Sequence, residues 1–137
     1  MRHATQTAAI SSPAAVIRDT LLAATRLPEW NPAFVNVAGP AVATVAAEYE
    51  LETIRGLRGS LAYTRIDAEQ ITMTWRVPLL SETGTWLIEE HGPARTQVTH
   101  TVERHGPLAA AISHTLATLP RLRLDRLAVR TEDRSAE

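Results

Sequence analysis

The stretch ISSPAAVIRDTLLAATRLPEWNPAFVNV, residues 10–37, decides the fold class because it joins a helical pattern to a Pro-flanked aromatic turn. Two serines followed by Pro13 are typical of a helix start, where a hydroxyl caps the first turn and Pro occupies it. Apolar residues then recur at helical spacing and predict an amphipathic helix over 13–25. Two prolines bracket Trp30 and predict a short turn or a second helix around it.

Downstream of this stretch, apolar–polar alternation predicts a series of strands. The clearest alternation lies within 42–54, where three glutamates alternate with Tyr49 and Leu51. Short turns rich in Gly, Pro or Asp separate the strands, which implies an antiparallel meander. The other strands are predicted over 34–38, 60–66, 71–77, 82–91 and 96–105, with a weaker opening strand over 2–10.

The C-terminal part is helical in pattern. Gly106-Pro107 starts it, and apolar residues recur at helical spacing from Leu108 to Leu127. Pro120 lies inside this pattern and predicts a kink or break. The polar stretch 131–137 is predicted to be a frayed tail.

These elements predict an α+β fold in one domain, residues 1–130, followed by the tail 131–137. We expect a curved antiparallel sheet of about seven strands, wrapped around a long C-terminal helix, with two short N-terminal helices. The helix covers only part of the buried face of the sheet, so the remainder forms a natural cavity.

Composition excludes several kinds of chemistry. The 137 residues include no Cys, and all 14 basic residues are Arg. Disulfides, thiolate ligands, a Cys nucleophile and a Lys Schiff base are therefore excluded, and any fixed cation in a pocket is a guanidinium. The net charge of −1 gives no indication of the basic surface that nucleic-acid-binding proteins carry.

Targeting and cofactor motifs are also missing from the sequence. There is no long apolar run and no clear signal peptide, so we expect no membrane segment and a cytoplasmic location. The five His residues have no metal-ligand spacing, and no phosphate-binding loop or nucleophile elbow occurs. We expect no metal or organic cofactor.

The element order resembles the helix-grip START/Bet v 1-like (SRPBCC) superfamily. The small-residue-Pro pair Ser12-Pro13 and the turn Leu27-Pro28-Glu29-Trp30 carry the resemblance. Members bind lipids, steroids, hormones or polyketides in an internal cavity, and some are enzymes. Within the superfamily, LAYTRIDAEQITMTWRVP, residues 61–78, looks like the matching region of bacterial polyketide cyclase/dehydratase proteins.

That resemblance implies a catalytic role for Arg65 and Arg76, which bind and polarise polyketone oxygens in such enzymes. A period of two places Arg65 on the face of Tyr63, directed into the cavity. The alternative is that Arg65 pairs with Asp67 or Glu69 in solvent. Arg76 alternates with the apolar set of its strand, so burial alone favours the surface for it, whereas the resemblance favours the cavity.

Proton transfer has its own candidates. His100 shares a face with Val98 and Val102 and is a candidate general acid or base, or else a hydrogen-bonded core histidine. Tyr63 is a candidate proton donor, or a packed aromatic residue. Trp30 is either core or a wall at the pocket mouth. The predicted substrate-binding residues are Trp30, Phe34, Tyr49, Leu51, Trp75, Trp86 and Glu90.

The sequence thus predicts a cofactor-independent polyketide cyclase/aromatase-like enzyme. It would bind a hydrophobic polyketone-type intermediate and promote cyclisation and dehydration by enolate stabilisation and proton transfer. If the substrate is carrier-bound, an acyl carrier protein is a partner; a homodimer is left open. The alternatives are a non-catalytic carrier or sensor of a hydrophobic small molecule, and a protein that acts through protein contacts.

Overall fold

A computed structural model describes residues 2–135 of the chain. Two 3₁₀ turns, Ala24–Glu29 and Ile54–Gly56, accompany the helices and strands. The helices and strands are, in chain order, β1 (Arg2–Ile10), α1 (Ala14–Leu22), β2 (Phe34–Ala38), β3 (Glu48–Thr53), β4 (Arg58–Ile66), β5 (Gln70–Val77), β6 (Leu80–Glu90), β7 (Thr96–His105), α2 (Pro107–Ala111), α3 (Ser113–Leu116) and α4 (Leu119–Ser135).

The strands form one seven-stranded antiparallel sheet in the order β1-β7-β6-β5-β4-β3-β2. Strands β2 to β7 follow one another as the predicted meander. β1 returns to pair with β7, from Arg2 opposite Arg104 to Ile10 opposite Thr96. The predicted α+β helix-grip architecture is confirmed.

One face of the sheet carries the core, and α1 and α4 cover it. The helices contribute Ile17, Leu21, Leu124 and Leu127, all completely buried. Buried residues alternate with more exposed ones most regularly in β6 and β7. Burial of these apolar side chains is the main source of stability.

The C-terminal region differs from its prediction. The helix is interrupted at Ile112 and again between α3 and α4, whereas Pro120 lies in the first turn of α4. Pro is tolerated there because that turn has no intrahelical partner for its N–H. The expected kink or break thus lies at residues 117 and 118, just before Pro120, and a second interruption at Ile112 was not predicted.

The predicted tail is helical as far as Ser135, so a frayed tail from residue 131 is also wrong over that part. Thr131 is completely buried, and its hydroxyl donates to the Leu127 carbonyl at 2.8 Å. Glu132 accepts a hydrogen bond from the Ser11 backbone N–H at 2.9 Å. Residues 136 and 137 lie outside the described part. Within residues 2–135, no helix combines the length and the apolar character needed to cross a bilayer.

Candidate functional site

An apolar cavity of about 420 Å³ lies between the β5–β6 hairpin, the turn after β3 and the helices α2 and α3. Among its lining residues, only Arg55 carries a charge. The lining is formed by Ala33, Thr53, Ile54, Arg55, Leu57, Trp75, Val77, Pro78, Leu79, Leu80, Leu108, Ile112, Leu116 and Leu119.

The turn into α2 fixes the helical wall of the cavity. The Leu108 backbone N–H donates to the Leu79 carbonyl at 3.1 Å and so joins α2 to the β5–β6 hairpin. Gly106 has φ 105°, and a Cβ on it would lie 2.3 Å from that same carbonyl oxygen. Only glycine allows this approach, because a side chain would add both a clash and backbone strain.

The rim of the cavity is apolar and exposed. Ile54 is 52% exposed and Leu79 is 66% exposed. Arg55 and Leu79 have φ values of 74° and 67°, in the left-handed region that few non-glycine residues adopt. Trp75 forms the inner wall and packs edge-on against Phe34, with ring centroids 5.7 Å apart.

A buried ionic cluster lies behind Trp75. Glu82 accepts a hydrogen bond from Trp75 Nε1 at 2.6 Å and one from Arg104 Nε at 2.8 Å. Arg123 Nη2 lies 2.9 Å from Glu82 Oε2, an ion pair whose angle does not make a hydrogen bond. Arg123 Nε donates to Asn31 Oδ1 at 3.2 Å. All five side chains are at most 4% exposed.

Sheet register and the C-terminal helix bring the cluster together. Glu82 on β6 is directly opposite Trp75 on β5 and Arg104 on β7. Arg123 lies on α4, and its guanidinium reaches Glu82 on the buried face of the sheet. The charged groups therefore occupy positions that alternation assigns to apolar side chains.

The cluster carries a net positive charge. Two guanidinium groups and one carboxylate leave an excess of one cation, because Arg stays protonated at neutral pH. Burial by itself raises the pKa of Glu82, but the charges of Arg123 and Arg104 outweigh it and hold this pKa well below its ordinary value. Arg104 Nη2 is buried and has no hydrogen-bond partner among the described residues.

His100 lies beside this ionic cluster and is neutral. Its Nε2 lies 3.2 Å from Arg123 Nη1, and its Nδ1 lies 3.2 Å from the Thr85 carbonyl oxygen. Since a guanidinium only donates, Nε2 is the acceptor and Nδ1 carries the proton. Burial, and then the charge of Arg123, lower the pKa of His100 to about 3. His100 also stacks on Trp86 at 3.7 Å. These contacts match the alternative of a hydrogen-bonded core histidine and not the candidate general acid or base.

The two tyrosines face the core but not the apolar cavity. The Tyr63 hydroxyl donates to the Leu21 carbonyl, and burial raises its pKa well above the ordinary value. The Tyr49 hydroxyl is buried without a hydrogen-bond partner in the described part of the chain, and its ring contacts that of Tyr63 edge-on at 6.3 Å. The Tyr63 hydroxyl proton is therefore engaged by a backbone carbonyl and is not directed at a ligand.

Arg65 lies on the outer face of the sheet, contrary to the expectation that it faces the cavity. A β-bulge lies between Tyr63 and Arg65, where Thr64 is an extra residue in β4. The bulge breaks the period of two, so that Tyr63 faces inward while Arg65 faces out. Its side chain is 58% exposed, and its Nε donates to Asp67 at 2.7 Å.

Arg76 also lies on the outer face, where the alternation of β5 places it. It is exposed and pairs in register with Ser60 and Ser81. Neither guanidinium that the resemblance singled out reaches the apolar cavity.

Of the predicted wall residues, Trp75 alone lines the apolar cavity. Trp30 is a core residue rather than a mouth residue, 3% exposed and edge-on to Trp86 at 5.6 Å. Trp30 is buried because it directly follows the 3₁₀ turn Ala24–Glu29, which places it against the core face of the sheet. Phe34, Tyr49, Leu51 and Trp86 are likewise core residues, and Glu90 is exposed at the end of β6.

Sequence reasoning missed Glu82, Arg104 and Arg123. A signal was present: on β6 the inward positions run Leu80, Glu82, Gly84, Trp86 and Ile88, so the alternation places a carboxylate on the core face. Arg104 continues the inward set of His100 and Val102 on the neighbouring strand. Opposite charges at inward positions of adjacent strands indicate a buried ion pair.

Within residues 2–135 no group of three or more His, Cys, Asp or Glu side chains is placed to hold a metal ion. No protein-family model matches the sequence, and a search of curated proteins finds no match. Comparison with solved structures does find similar folds.

Three of these folds cover nearly the whole chain. The START superfamily protein of Mycobacterium smegmatis has a TM-score of 0.70 and 17% identity, over 96% of this chain and 97% of that one. Norcoclaurine synthase of Thalictrum flavum has a TM-score of 0.71 and 14% identity, over 97% and 95%.

The third is the di-domain ARO/CYC protein BexL of the BE-7585A biosynthetic pathway, with a TM-score of 0.75 and 19% identity. It is matched over 96% of this chain and 47% of BexL, so the chain spans about half of that protein. These likenesses, together with the sheet order and the covering helices, show that the chain has the helix-grip fold.

Proposed function

We propose that this protein binds a hydrophobic small molecule in the apolar cavity, as a carrier or sensor. The observation that carries the proposal is a cavity of about 420 Å³ whose described lining is apolar apart from Thr53 and Arg55. That volume lies in the range of small-molecule sites, which are concave and mostly apolar, with a few polar groups that orient the ligand.

The lining also suggests the polarity of the ligand. Apolar contact supplies the driving force, at about 25 cal/mol for each Å² removed from water. Arg55 at the rim supplies donors for a carbonyl or an enolate oxygen. A largely apolar molecule with an oxygen at one end, such as a polyketone, fits both features.

The functional experiment uses a neutral fluorescent probe, N-phenyl-1-naphthylamine. Ile112→Trp fills the cavity from the break between α2 and α3, so we expect the Kd of the probe to rise by ~10-fold or more, which corresponds to about 1.4 kcal/mol. Val42→Trp is the matched control, since Val42 is 69% exposed and does not line the cavity. Equal binding by the wild type and both variants would contradict the proposal.

Cyclisation and dehydration of a polyketone-type intermediate are the second candidate. The fold shared with BexL favours it, and Arg55 would take the enolate-stabilising role that the resemblance gave to Arg65 and Arg76. A carrier-bound substrate would require an acyl carrier protein to dock at the exposed rim. We rank this candidate second because His100 and Tyr63, the predicted proton-transfer groups, do not line the cavity.

A matched pair of variants separates the two candidates. Arg55→Met removes the rim guanidinium, and Arg58→Met removes a nearby one that does not line the cavity and lies 4.0 Å from Glu52. If the protein is a cyclase, product formation from a linear poly-β-ketone falls ~100-fold or more in Arg55→Met, as for loss of one oxyanion donor, and is retained in Arg58→Met. Probe binding without product formation supports the carrier.

A further inference from the structure

A second cleft also borders α2 and α3, with a different set of lining residues from the apolar cavity. It has a volume of about 340 Å³, and Leu116 is the one lining residue that the two spaces share. Its lining combines alanines with polar side chains and one arginine. The residues are His3, Ala4, Arg104, Ala109, Ser113, His114, Leu116 and Ala117.

We infer that this cleft binds a small organic carboxylate, whose charge balances the excess cation of the Glu82–Arg104–Arg123 cluster. Two buried guanidinium groups share one carboxylate, and an uncompensated buried charge is costly. His100 adds no charge in its neutral form. The inference is independent of what occupies the apolar cavity.

Arg104 is the residue that joins the cluster to the cleft. It lines the cleft yet is only 4% exposed. Its Nε is engaged by Glu82 Oε1, while its Nη2 has no hydrogen-bond partner within the described part of the chain. Glu82 Oε1 accepts from Arg104 Nε, while Oε2 accepts from Trp75 and faces Arg123. A donor of a buried guanidinium is thus left for a ligand.

The surroundings of Arg104 favour a carboxylate with a compact apolar body. A carboxylate is the planar acceptor that matches the guanidinium fork. Ser113 and His114 add polar groups on the helical side of the cleft. Ala4, Ala109 and Ala117 leave room for an apolar ring or short chain, and a cleft of this volume admits a ligand of about 10 to 15 heavy atoms.

The test compares benzoate with its neutral isostere benzamide, by NMR titration of the full chain. We expect benzoate to shift the backbone amide signals of Ala4, Ala109 and Ala117 saturably, and benzamide to bind at least ~10-fold more weakly. Arg104→Met abolishes the preference for benzoate. Arg121→Met, which removes an exposed α4 guanidinium outside the cleft, retains it.

A second variant keeps the test decisive if Arg104→Met does not fold. Ala117→Phe fills the cleft from an exposed position in the turn between α3 and α4 and leaves every charged group of the ionic cluster in place, so it abolishes the benzoate shifts while binding of N-phenyl-1-naphthylamine to the apolar cavity is retained. The inference is overturned if benzoate and benzamide bind alike, or if the benzoate shifts fall on Leu57 and Leu80 of the other cavity. Failure of the naphthylamine experiment alone leaves the benzoate result intact.

Discussion

Glu82 is the residue on which the interior charge balance depends. Its carboxylate meets donors from β5 and β7 and a cation from α4, and no other carboxylate among the described residues lies in this cluster. A buried ion pair is weak evidence for high stability, but removal of the Glu82 carboxylate leaves two buried cations without a counter-charge. The energetic effect of a substitution therefore depends on which charge it removes.

We expect Glu82→Gln to lower the free energy of unfolding by about 3–5 kcal/mol, as for a broken buried ion pair. Arg104→Met costs much less, because Glu82 and Arg123 remain as a balanced pair. Urea denaturation at neutral pH measures both. Glu103→Gln, at a partly exposed position of the neighbouring strand β7, is the control and stays within about 0.5 kcal/mol of wild type. A cost for Arg104→Met equal to that of Glu82→Gln would contradict this charge accounting.

His100 gives the stability a pH dependence. In the unfolded chain a histidine titrates near pH 6.5, whereas in the fold its pKa is about 3. Between these values the unfolded chain binds more protons, so stability falls on acidification. We expect unfolding free energy to decrease below about pH 6.5, by at most ~1.4 kcal/mol per pH unit. Glu82, with its lowered pKa, adds loss of the same sign only at lower pH.

Urea denaturation in a pH series checks this slope. His100→Gln removes the part between about pH 6.5 and pH 4.5, whereas the exposed His105→Gln retains it. A wild-type protein whose stability is flat or rises on acidification through that interval would show that His100 is protonated in the fold.

For single residues, the facing predicted from the sequence is correct where the strand alternates regularly. The inward faces of Tyr63 and His100 follow from alternation alone. The same rule fails for Arg65, because one extra residue in β4 reverses the face and the sequence does not mark the bulge. Alternation on adjacent strands indicates Arg104 as a partner of Glu82, but it does not indicate Arg123, which comes from a helix that packs against the sheet.

At the scale of elements, most strands lie close to their predicted bounds because each has a clear period and a turn at its ends. The strand predicted over 42–54 is shorter, Glu48–Thr53, and the helix predicted over 13–25 ends at Leu22. The helical segment after β7 was predicted to kink or break at Pro120, but its apolar spacing does not register the interruption at Ile112. That interruption has a structural basis outside the segment, in the contact of α2 with the β5–β6 hairpin. The position of the cavity wall was therefore beyond sequence reasoning.

The turn at Gly106 provides a test of that contact. Gly106→Ala adds a Cβ 2.3 Å from the Leu79 carbonyl oxygen, whereas Gly92→Ala has a φ of 144° but meets no atom within 4 Å. We expect Gly92→Ala to cost about 1–3 kcal/mol from backbone strain alone. Gly106→Ala costs more, and it also weakens binding of the naphthylamine probe because α2 is displaced. Equal losses in thermal or urea denaturation would contradict the proposed role of the close approach.

At the scale of the whole molecule, the sequence was sufficient for the fold and insufficient for the site. The order of elements and their amphipathic faces admit few arrangements, and the seven-stranded sheet is one of them. The cavity, the cleft and the ionic cluster depend on side chains from several elements that converge only after packing. Composition did limit the outcome, because a chain without Lys must build its interior cations from Arg.

The pairing of β1 with β7 has a consequence for how the protein is made. The ribosome synthesises β1 well before its partner β7, since Ile10 pairs with Thr96, which is added much later. At ordinary elongation rates the delay is roughly 5–20 s, during which the nascent chain exposes an unpaired strand and the meander lacks one edge. Sheets closed by such distant pairs also refold slowly. Until the last strand is complete, the emerging β1 strand is open to pairing with another chain.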